Sequence, residues 1–332
     1  MYMKRVLWAL LIVVLAFSCS DSGGSSEKKK ETPVALVQAP DFNEDNAYAY
    51  IEKQVAFGPR VPNSEAHRQA ATWFQETFES LGAKVYMQRF EDYVYDGTKV
   101  ELVNIIASYN PEKKKRILLA AHWDTRPFAD QDPDNKYGAL DGANDGGSGV
   151  GVLLEVARVI NENEGPDVGV DIILFDGEDW GTHDGERPAP SLPSGKDDWW
   201  CLGSQYWSKN KHIPNYSAYY GVLLDMVGAP DATFYYDKVS QDNAGNVMKK
   251  IWERGAALGH NKYFVPRIGF QGIIDDHVYV NKLARIPMVD IIDYRGGSFT
   301  PVWHTTKDDM SGIDKATLNV VGEVVLSLLY NE

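Results

Sequence analysis

Hydrophobic and polar positions along the chain follow two periods from about residue 44 onward, one typical of helices and one of strands. Helical spacing predicts helices over 45–57, 148–161, 243–258 and 314–330. A further helix is predicted to begin after a cap at Asn63 or Ser64 and to end at Leu81. Alternating or continuous apolar runs predict strands over 84–90, 102–108, 116–122, 171–175, 219–224, 264–268 and 287–292. This alternation favours an α/β fold of three layers, with a central, mostly parallel twisted sheet between helices.

The stretch 181–200 is rich in glycine, proline and charge, which predicts a long surface loop after a buried strand. We find no internal repeat and no second linker between residues 44 and 332. These residues are therefore expected to form a single domain.

The first residues have the pattern of an export signal. Lys4 and Arg5 precede an apolar run over 6–17, and the sequence LAFSC at 15–19 resembles a bacterial lipoprotein processing site. We expect a leader over 1–19, a lipid on Cys19 as the protein's contact with a membrane, and a flexible Ser/Gly- and Lys-rich tether over 20–43. The protein is then exported to the cell envelope. The alternative is an ordinary signal peptide that contains a cysteine by chance.

The net charge and the cysteine count limit the kinds of partner and of covalent link that the chain is expected to have. The formal net charge of −14 argues against nucleic acid or an anionic membrane surface as the principal partner, because both require a basic field. The chain has 2 cysteines, and if Cys19 carries a lipid then Cys201 has no partner for an intramolecular disulfide. Cys201 is expected to be a packed thiol.

Polar clusters follow the apolar runs at several predicted strand ends. They lie at 122–124, 141–148, 176–180, 225, 274–277 and 303–304. Because ligands of doubly wound sheets bind at the carboxyl ends of strands, these clusters are expected to converge on one edge. Carboxylates and imidazoles are zinc ligands, and in the adjacent pair Glu178–Asp179 one carboxylate can bind metal while the other transfers protons.

Five short motifs stand in these clusters. They are GANDGGSGV around Asp145, FDGED with Glu178 and Asp179, LLDMVGAP with Asp225, IDDH with Asp275, and WHT with Trp303 and His304. Together they resemble the type II glutaminyl cyclases, a family that shares its fold with the zinc-dependent aminopeptidases. The resemblance covers about residues 45–330 and implies a zinc aminopeptidase-like fold.

The resemblance also implies one zinc ion per chain, bound by Asp145, Asp179 and His304. Asp179 departs from the animal members of the family, which carry the longer glutamate at this position. The order of the ligands along the chain is otherwise that of the family.

Further roles follow from the same resemblance. Glu178 is expected to shuttle the proton, with Asp225 and Asp275 in an acidic hydrogen-bonded group beside it. Trp303 is expected to line the substrate pocket. Trp180 is assigned to the pocket only by its proximity to the FDGED motif, because the family's second pocket tryptophan lies several residues further on.

The implied reaction is cyclisation of an N-terminal glutaminyl residue of a peptide or protein to pyroglutamate, with release of ammonia. The first alternative is a two-zinc aminopeptidase, in which His122 and Asp225 bind a second ion and Asp145 bridges the pair. Asp275 and the Trp303–His304 pair resemble cyclases more than peptidases. A second alternative is a binding protein that has kept the fold and lost catalysis, but the acidic set is complete.

The other polar residues near the motifs have weaker assignments. Asp276 and His277 are expected to orient the site. The remaining histidines lack metal-ligand partners at useful spacing and are expected to be structural or exposed; they are His67, His183, His212 and His260.

Overall fold

A six-stranded sheet forms the centre of the protein, seen in a computed structural model that describes residues 36–183 and 190–332. Its strands are β1 (Lys84–Tyr93), β2 (Lys99–Tyr109), β3 (Arg116–His122), β4 (Gly169–Phe175), β5 (Tyr220–Asp225) and β8 (Met288–Ile292). The spatial order is β1-β2-β4-β3-β5-β8; the two strands at one edge are antiparallel, and β4, β3, β5 and β8 are parallel. The predicted mostly parallel sheet is confirmed.

Helices cover both faces of this sheet. They are α1 (Glu44–Val55), α2 (Glu65–Ser80), α3 (Gly147–Glu162), α4 (Leu202–Lys209), α5 (Lys238–Ala257), α6 (Asp276–Tyr279) and α7 (Lys315–Leu329). Alternate strand residues face opposite cores. Leu119 belongs to a cluster of buried residues that includes side chains of α1, α2, α3, α5 and α7, whereas Leu118 belongs to a second cluster with side chains of α4 and of the segment after α6. The three-layer α/β/α architecture is therefore confirmed.

Two regions differ from the sequence expectation. The predicted strand at 264–268 belongs to β7 (Phe264–Phe270), which pairs with β6 (Phe234–Asp237) in a separate two-stranded sheet. The short FYYD strand has too few residues for a periodic signal. Helix α5 begins earlier than predicted because Asp237 caps it, and a kink at Ala244 interrupts its apolar period.

Residues 37–332 form one compact unit. The tether is expected to reach residue 43, but Phe42 is buried against Gly322 of α7 and Asn43 caps α1. The predicted leader and lipid site at Cys19 lie outside the described residues, as do residues 184–189 of the predicted loop. No helix in the described part of the chain is long and apolar enough to cross a membrane.

The carboxyl ends of the parallel strands lie side by side. His122 at the end of β3 pairs with Phe175 at the end of β4, and Asp225 at the end of β5 pairs with Ile292 of β8. Gly149 lets α3 approach this edge, because a Cβ there would lie 2.2 Å from the Leu224 carbonyl oxygen. The loops that carry the polar motifs therefore leave the sheet from one edge.

Candidate active site and metal centre

Three of the predicted ligands meet at this edge of the sheet. Nε2 of His304 lies 3.2 Å from Asp179 Oδ1 and 3.7 Å from Asp145 Oδ2. The exposed fractions of Asp145, Asp179 and His304 are 5%, 1% and 2%. The structure thus brings together residues that are up to 159 positions apart in the chain (304 − 145) and buries all three.

Backbone hydrogen bonds hold the two carboxylate ligands in place. The N–H groups of Asn144 and Asp145 donate to the two carboxylate oxygens of Asp308 at 2.9 and 3.0 Å. The N–H groups of Glu178 and Asp179 donate to Asp124 at 3.1 and 3.2 Å. Gly146, not Asp145, is the N-cap residue of α3. The side chain of Asp145 is therefore available for the site.

The donor set fits a zinc ion. Asp145, Asp179 and His304 each offer a ligand atom, and these atoms all lie within 4.8 Å of one another. Oδ2 of Asp179 is buried and has no hydrogen-bond partner among the described residues. Two carboxylates and an imidazole are zinc ligands of catalytic sites, which keep a further position open. An uncompensated buried carboxylate oxygen is costly, and a cation would remove that cost.

A second group of possible ligands adjoins the first and shares Asp145. His122 Nε2 lies 3.0 Å from Asp145 Oδ1 and 3.3 Å from Asp225 Oδ1. Neither ring nitrogen of His122 is aligned for a hydrogen bond within the described part of the chain. This is the group that a two-metal enzyme would require, so the geometry accommodates one ion or two.

Glu178 and Asp275 lie close together beside the predicted ligands, with an oxygen atom of each within 4.8 Å of the other. Oδ2 of Asp275 has no hydrogen-bond partner among the described residues, so the expected hydrogen bonds within an acidic group of Glu178, Asp225 and Asp275 stay a prediction. Burial, followed by the nearby charges of Asp275 and Asp179, raises the pKa of Glu178 well above its ordinary value. Burial and the charge of Asp225 raise the pKa of Asp275 to about 7. A carboxyl group with a raised pKa can both take up and return a proton near neutral pH.

Cys201 contacts Glu178 directly, which its sequence context does not indicate. Its thiol lies 3.1 Å from Glu178 Oε1 and is placed to donate to it, while its backbone N–H donates to the Glu178 carbonyl oxygen at 3.0 Å. The residue is buried, as expected for a packed thiol. It fixes the orientation of the proposed proton carrier.

A cavity of about 140 Å³ opens beside these residues. Its lining includes the acidic and metal-ligand side chains, and its apolar walls are Trp200, Met226, Ile273, Ile274, Ile292, Phe299 and Trp303. The ring of Trp303 stacks on His304 at 3.6 Å between centroids. Trp303 is thus a wall of this cavity, and its role in binding the substrate stays a prediction.

The placement of Trp180 in the pocket needs correction. Its side chain packs instead on a cluster of buried residues that includes Leu102 and Leu202. Trp200 takes the place on the cavity wall, and it packs so closely on Gly181 that a Cβ there would lie 2.0 Å from its ring. The two tryptophans are twenty residues apart (200 − 180), so no local sequence pattern indicates that Trp200 lines the cavity in place of Trp180.

The structure also shows the surroundings of Asp276, His277 and the remaining histidines. His277 lies between Asp237 and Asp290, each at 3.7 Å, while Asp276 is buried beside the acidic group, whose charges raise its pKa further after burial. The other histidines have different surroundings: His67 bonds to Asp176, His183 meets the ring of Phe128, His212 accepts from Trp207, and His260 pairs with Glu323. None of these four belongs to a candidate metal group of the described residues.

Comparison with known proteins agrees with this geometry. The profile of peptidase family M28 matches residues 104–329, more than half of the chain. The chain belongs to peptidase family M28. A glutaminyl cyclase from Tannerella forsythia is 48% identical to this M28 chain, with a TM-score of 0.83 and coverage of 88% of this chain and 100% of that one.

Two further relatives are similar to the M28 chain. A Zn-dependent exopeptidase from Parabacteroides distasonis is 47% identical, with a TM-score of 0.83 and coverage of 89% of this chain and 100% of that one. The glutaminyl-peptide cyclotransferase of Drosophila melanogaster is 25% identical over 290 residues, which are 80% of this chain and 75% of the relative. The resemblance to glutaminyl cyclases is confirmed.

Removal of one proposed ligand should remove the metal from this M28 chain. We expect His304→Ala to lose at least about tenfold in zinc affinity, since even residues that only orient ligands change affinity by 10- to 100-fold. His260→Ala is the control, because that histidine pairs with Glu323 away from the site. Metal analysis after dialysis measures both variants, and full zinc retention in His304→Ala would contradict the assignment.

Proposed function

We propose that the protein is a zinc-dependent glutaminyl-peptide cyclotransferase, which converts an N-terminal glutaminyl residue to pyroglutamate and releases ammonia. The observation that carries the proposal is the buried Glu178 with its raised pKa, adjacent to the ligand Asp179 and facing an aromatic-walled cavity. The site therefore combines a proton carrier and a metal-binding group beside a small apolar space. The named cyclase relatives support the same reaction.

The cavity suits one side chain more than an extended peptide. Its volume is about 140 Å³, and Trp200 and Trp303 provide flat apolar walls. An amide side chain can lie between these rings with its polar end towards the carboxylates. Because the nucleophile and the electrophile belong to the same residue, holding that residue in one orientation supplies much of the catalysis.

Asp145, Asp179 and His304 would hold one zinc ion per chain in this proposal. When bound, zinc polarises the side-chain amide carbonyl of the substrate and stabilises negative charge on its oxygen. Asp130 accepts a hydrogen bond from Nδ1 of His304 at 3.0 Å, which leaves Nε2 directed at the two carboxylate ligands. A ligand histidine commonly uses its second nitrogen in this way.

Glu178 performs the proton transfers. It accepts a proton from the substrate α-amine, whose nitrogen then forms a bond with the side-chain amide carbon. The bond between that carbon and the amide nitrogen breaks, and Glu178 returns the proton so that ammonia leaves. Asp225 and Asp275 act beside it as an acidic group that holds the amine and adjusts the charge around Glu178.

The same residues permit one competing reaction. The group formed by His122, Asp145 and Asp225 could bind a second ion, as the two-zinc aminopeptidase hypothesis requires. A bridged pair of ions would activate water for peptide hydrolysis. The two hypotheses differ in products and in metal content, so a single preparation can separate them.

We therefore expect the purified protein to contain one zinc ion per chain and to release ammonia from a glutaminyl peptide. The measurements are metal analysis, an ammonia assay and mass spectrometry of the peptide, which loses 17 Da on cyclisation, about the mass of ammonia. An aminoacyl anilide is the comparison substrate. Two zinc ions together with release of free amino acids would establish the peptidase instead.

Glu178→Gln should abolish turnover and leave zinc bound. The substitution preserves the shape of the side chain but removes its capacity to accept a proton, and we expect a loss in kcat of about 10²- to 10⁴-fold. Metal analysis of the same sample is the control. If zinc is lost with activity, the division of roles between Glu178 and Asp179 is wrong.

We also propose that the protein is exported to a bacterial cell envelope and anchored by a lipid on Cys19, with peptides or proteins bearing N-terminal glutamine as its substrates. The basic residues, apolar run and LAFSC sequence at the N-terminus support the anchor. In cells that express the full chain, labelled fatty acid should enter the protein, and Cys19→Ser should prevent it. Equal labelling of both forms would contradict the anchor.

A further inference from the structure

We infer that Arg126 is a positioning residue that holds Asp179, His304 and the cavity wall of Trp200 in one arrangement. The inference rests on the proposed zinc set and extends it to a residue that none of the sequence motifs contains. Arg126 is completely buried, with an exposed fraction of 0%. A guanidinium ion at such a position needs partners for its donors, and these partners indicate its role.

The first connection runs to His304 through Asp130. Nε and Nη2 of Arg126 donate to the two oxygens of Asp130 at 2.8 and 3.0 Å, which is a bidentate pair. The same Asp130 carboxylate receives Nδ1–H of His304 at 3.0 Å. Arg126 therefore fixes the carboxylate that orients His304.

The second connection runs to Asp179. Nη1 of Arg126 donates to the backbone carbonyl oxygen of Asp179 at 2.9 Å and lies 3.6 Å from its Oδ1 atom. The backbone N–H of Asp179 is held from the other side by Asp124. Asp179 is thus held at its backbone N–H by Asp124 and at its backbone carbonyl oxygen by Arg126.

The third connection runs to the substrate cavity. The guanidinium carbon of Arg126 lies 4.8 Å from the centroid of the Trp200 ring, within the range of a cation–π contact. The same ring is nearly parallel to the His304 imidazole, at 6.2 Å and 12°. A shift of Arg126 would therefore disturb both the metal ligands and the wall against which the substrate side chain lies.

The geometry requires arginine, because lysine cannot make these contacts together. The planar guanidinium uses all three of its nitrogens in fixed directions, and its carbon lies over the Trp200 ring. Its positive charge is paired with Asp130, so the pair orients His304 without placing an uncompensated cation beside the metal-binding group. An ammonium group could satisfy one of these partners and would leave the others unpaired.

The test compares Arg126→Lys with the unaltered protein by chelator competition for zinc and by steady-state kinetics on a glutaminyl peptide. We expect zinc affinity to fall by about 10- to 100-fold. At saturating zinc, KM should rise by about three- to tenfold because Trp200 loses its support. Asp130→Asn should weaken zinc binding similarly, and the double variant should lose much less than the product of the two single losses.

Arg116→Lys is the matched control, since Arg116 forms a buried bidentate pair with Asp171 at 2.6 and 2.7 Å at the start of β3, away from the site. Arg116→Lys should lower the midpoint temperature of unfolding and change zinc affinity by no more than about twofold from that of the unaltered protein. Unchanged zinc affinity in Arg126→Lys, or an equal loss in Arg116→Lys, would overturn the inference. Asp130→Asn decides the question if Arg126→Lys does not fold.

The zinc measurement needs no substrate, so it is independent of the proposed reaction. Zinc bound by the unaltered protein and lost by Arg126→Lys, without ammonia release by either, would sustain the role of Arg126 and reject the cyclase. An unaltered protein that binds no zinc would reject both the ligand set and this inference.

Discussion

The site depends on one electrostatic constraint, the burial of two carboxylates that face the same imidazole nitrogen. Asp145 and Asp179 lie within 3.7 Å of His304 Nε2, and less than a tenth of each is exposed. The ligand atoms of the two carboxylates lie within 4.8 Å of each other. Like charges this close in a buried site are unfavourable, and a divalent cation between them would offset both the repulsion and the lost hydration. The surrounding structure keeps these groups together in spite of that cost. Asp124 and Asp308 do so by each accepting two successive backbone N–H groups beside a ligand.

Three residues at the site have a strained backbone conformation. His304, Cys201 and Met226 have φ angles of 54°, 57° and 48°, in the left-handed region that residues other than glycine rarely adopt. His304 is a proposed ligand, Cys201 bonds to Glu178, and Met226 follows Asp225 on the cavity wall. Such strain persists only where the surrounding structure holds it, and it is common at active sites. The buried hydrogen bonds of the site are the restraint that keeps these loops in place.

The sequence predicts most of the fold and the convergence of the candidate ligands on one edge of the sheet, because both follow from the burial of parallel strands. Buried parallel strands give continuous apolar runs, and polar residues directly after such runs must lie at one edge of the sheet, as Glu178 and Asp225 do. Contacts between distant loops give no such signal. Asp130 and His304 are 174 positions apart, and Arg126 and Trp200 are joined only by the way their loops pack. Trp180 is nearer than Trp200 to the FDGED motif in the sequence. Trp200 nevertheless lines the cavity, because Gly181 leaves the space into which it packs. The supporting contacts therefore require the three-dimensional structure, whereas the ligand motifs do not.

The position of Asp225 bears on whether the site uses one ion or two. Its carboxylate faces His122 on one side, as a second metal site would need, and its charge acts on Asp275 on the other. Burial and this charge raise the pKa of Asp275 to about 7, so the carboxyl group of Asp275 can carry a proton near neutral pH. A cation bound by Asp225 would favour loss of that proton, and a proton on Asp275 in turn reduces the negative charge near the group formed by His122, Asp145 and Asp225. The protonation of Asp275 and the number of bound ions are therefore coupled through Asp225.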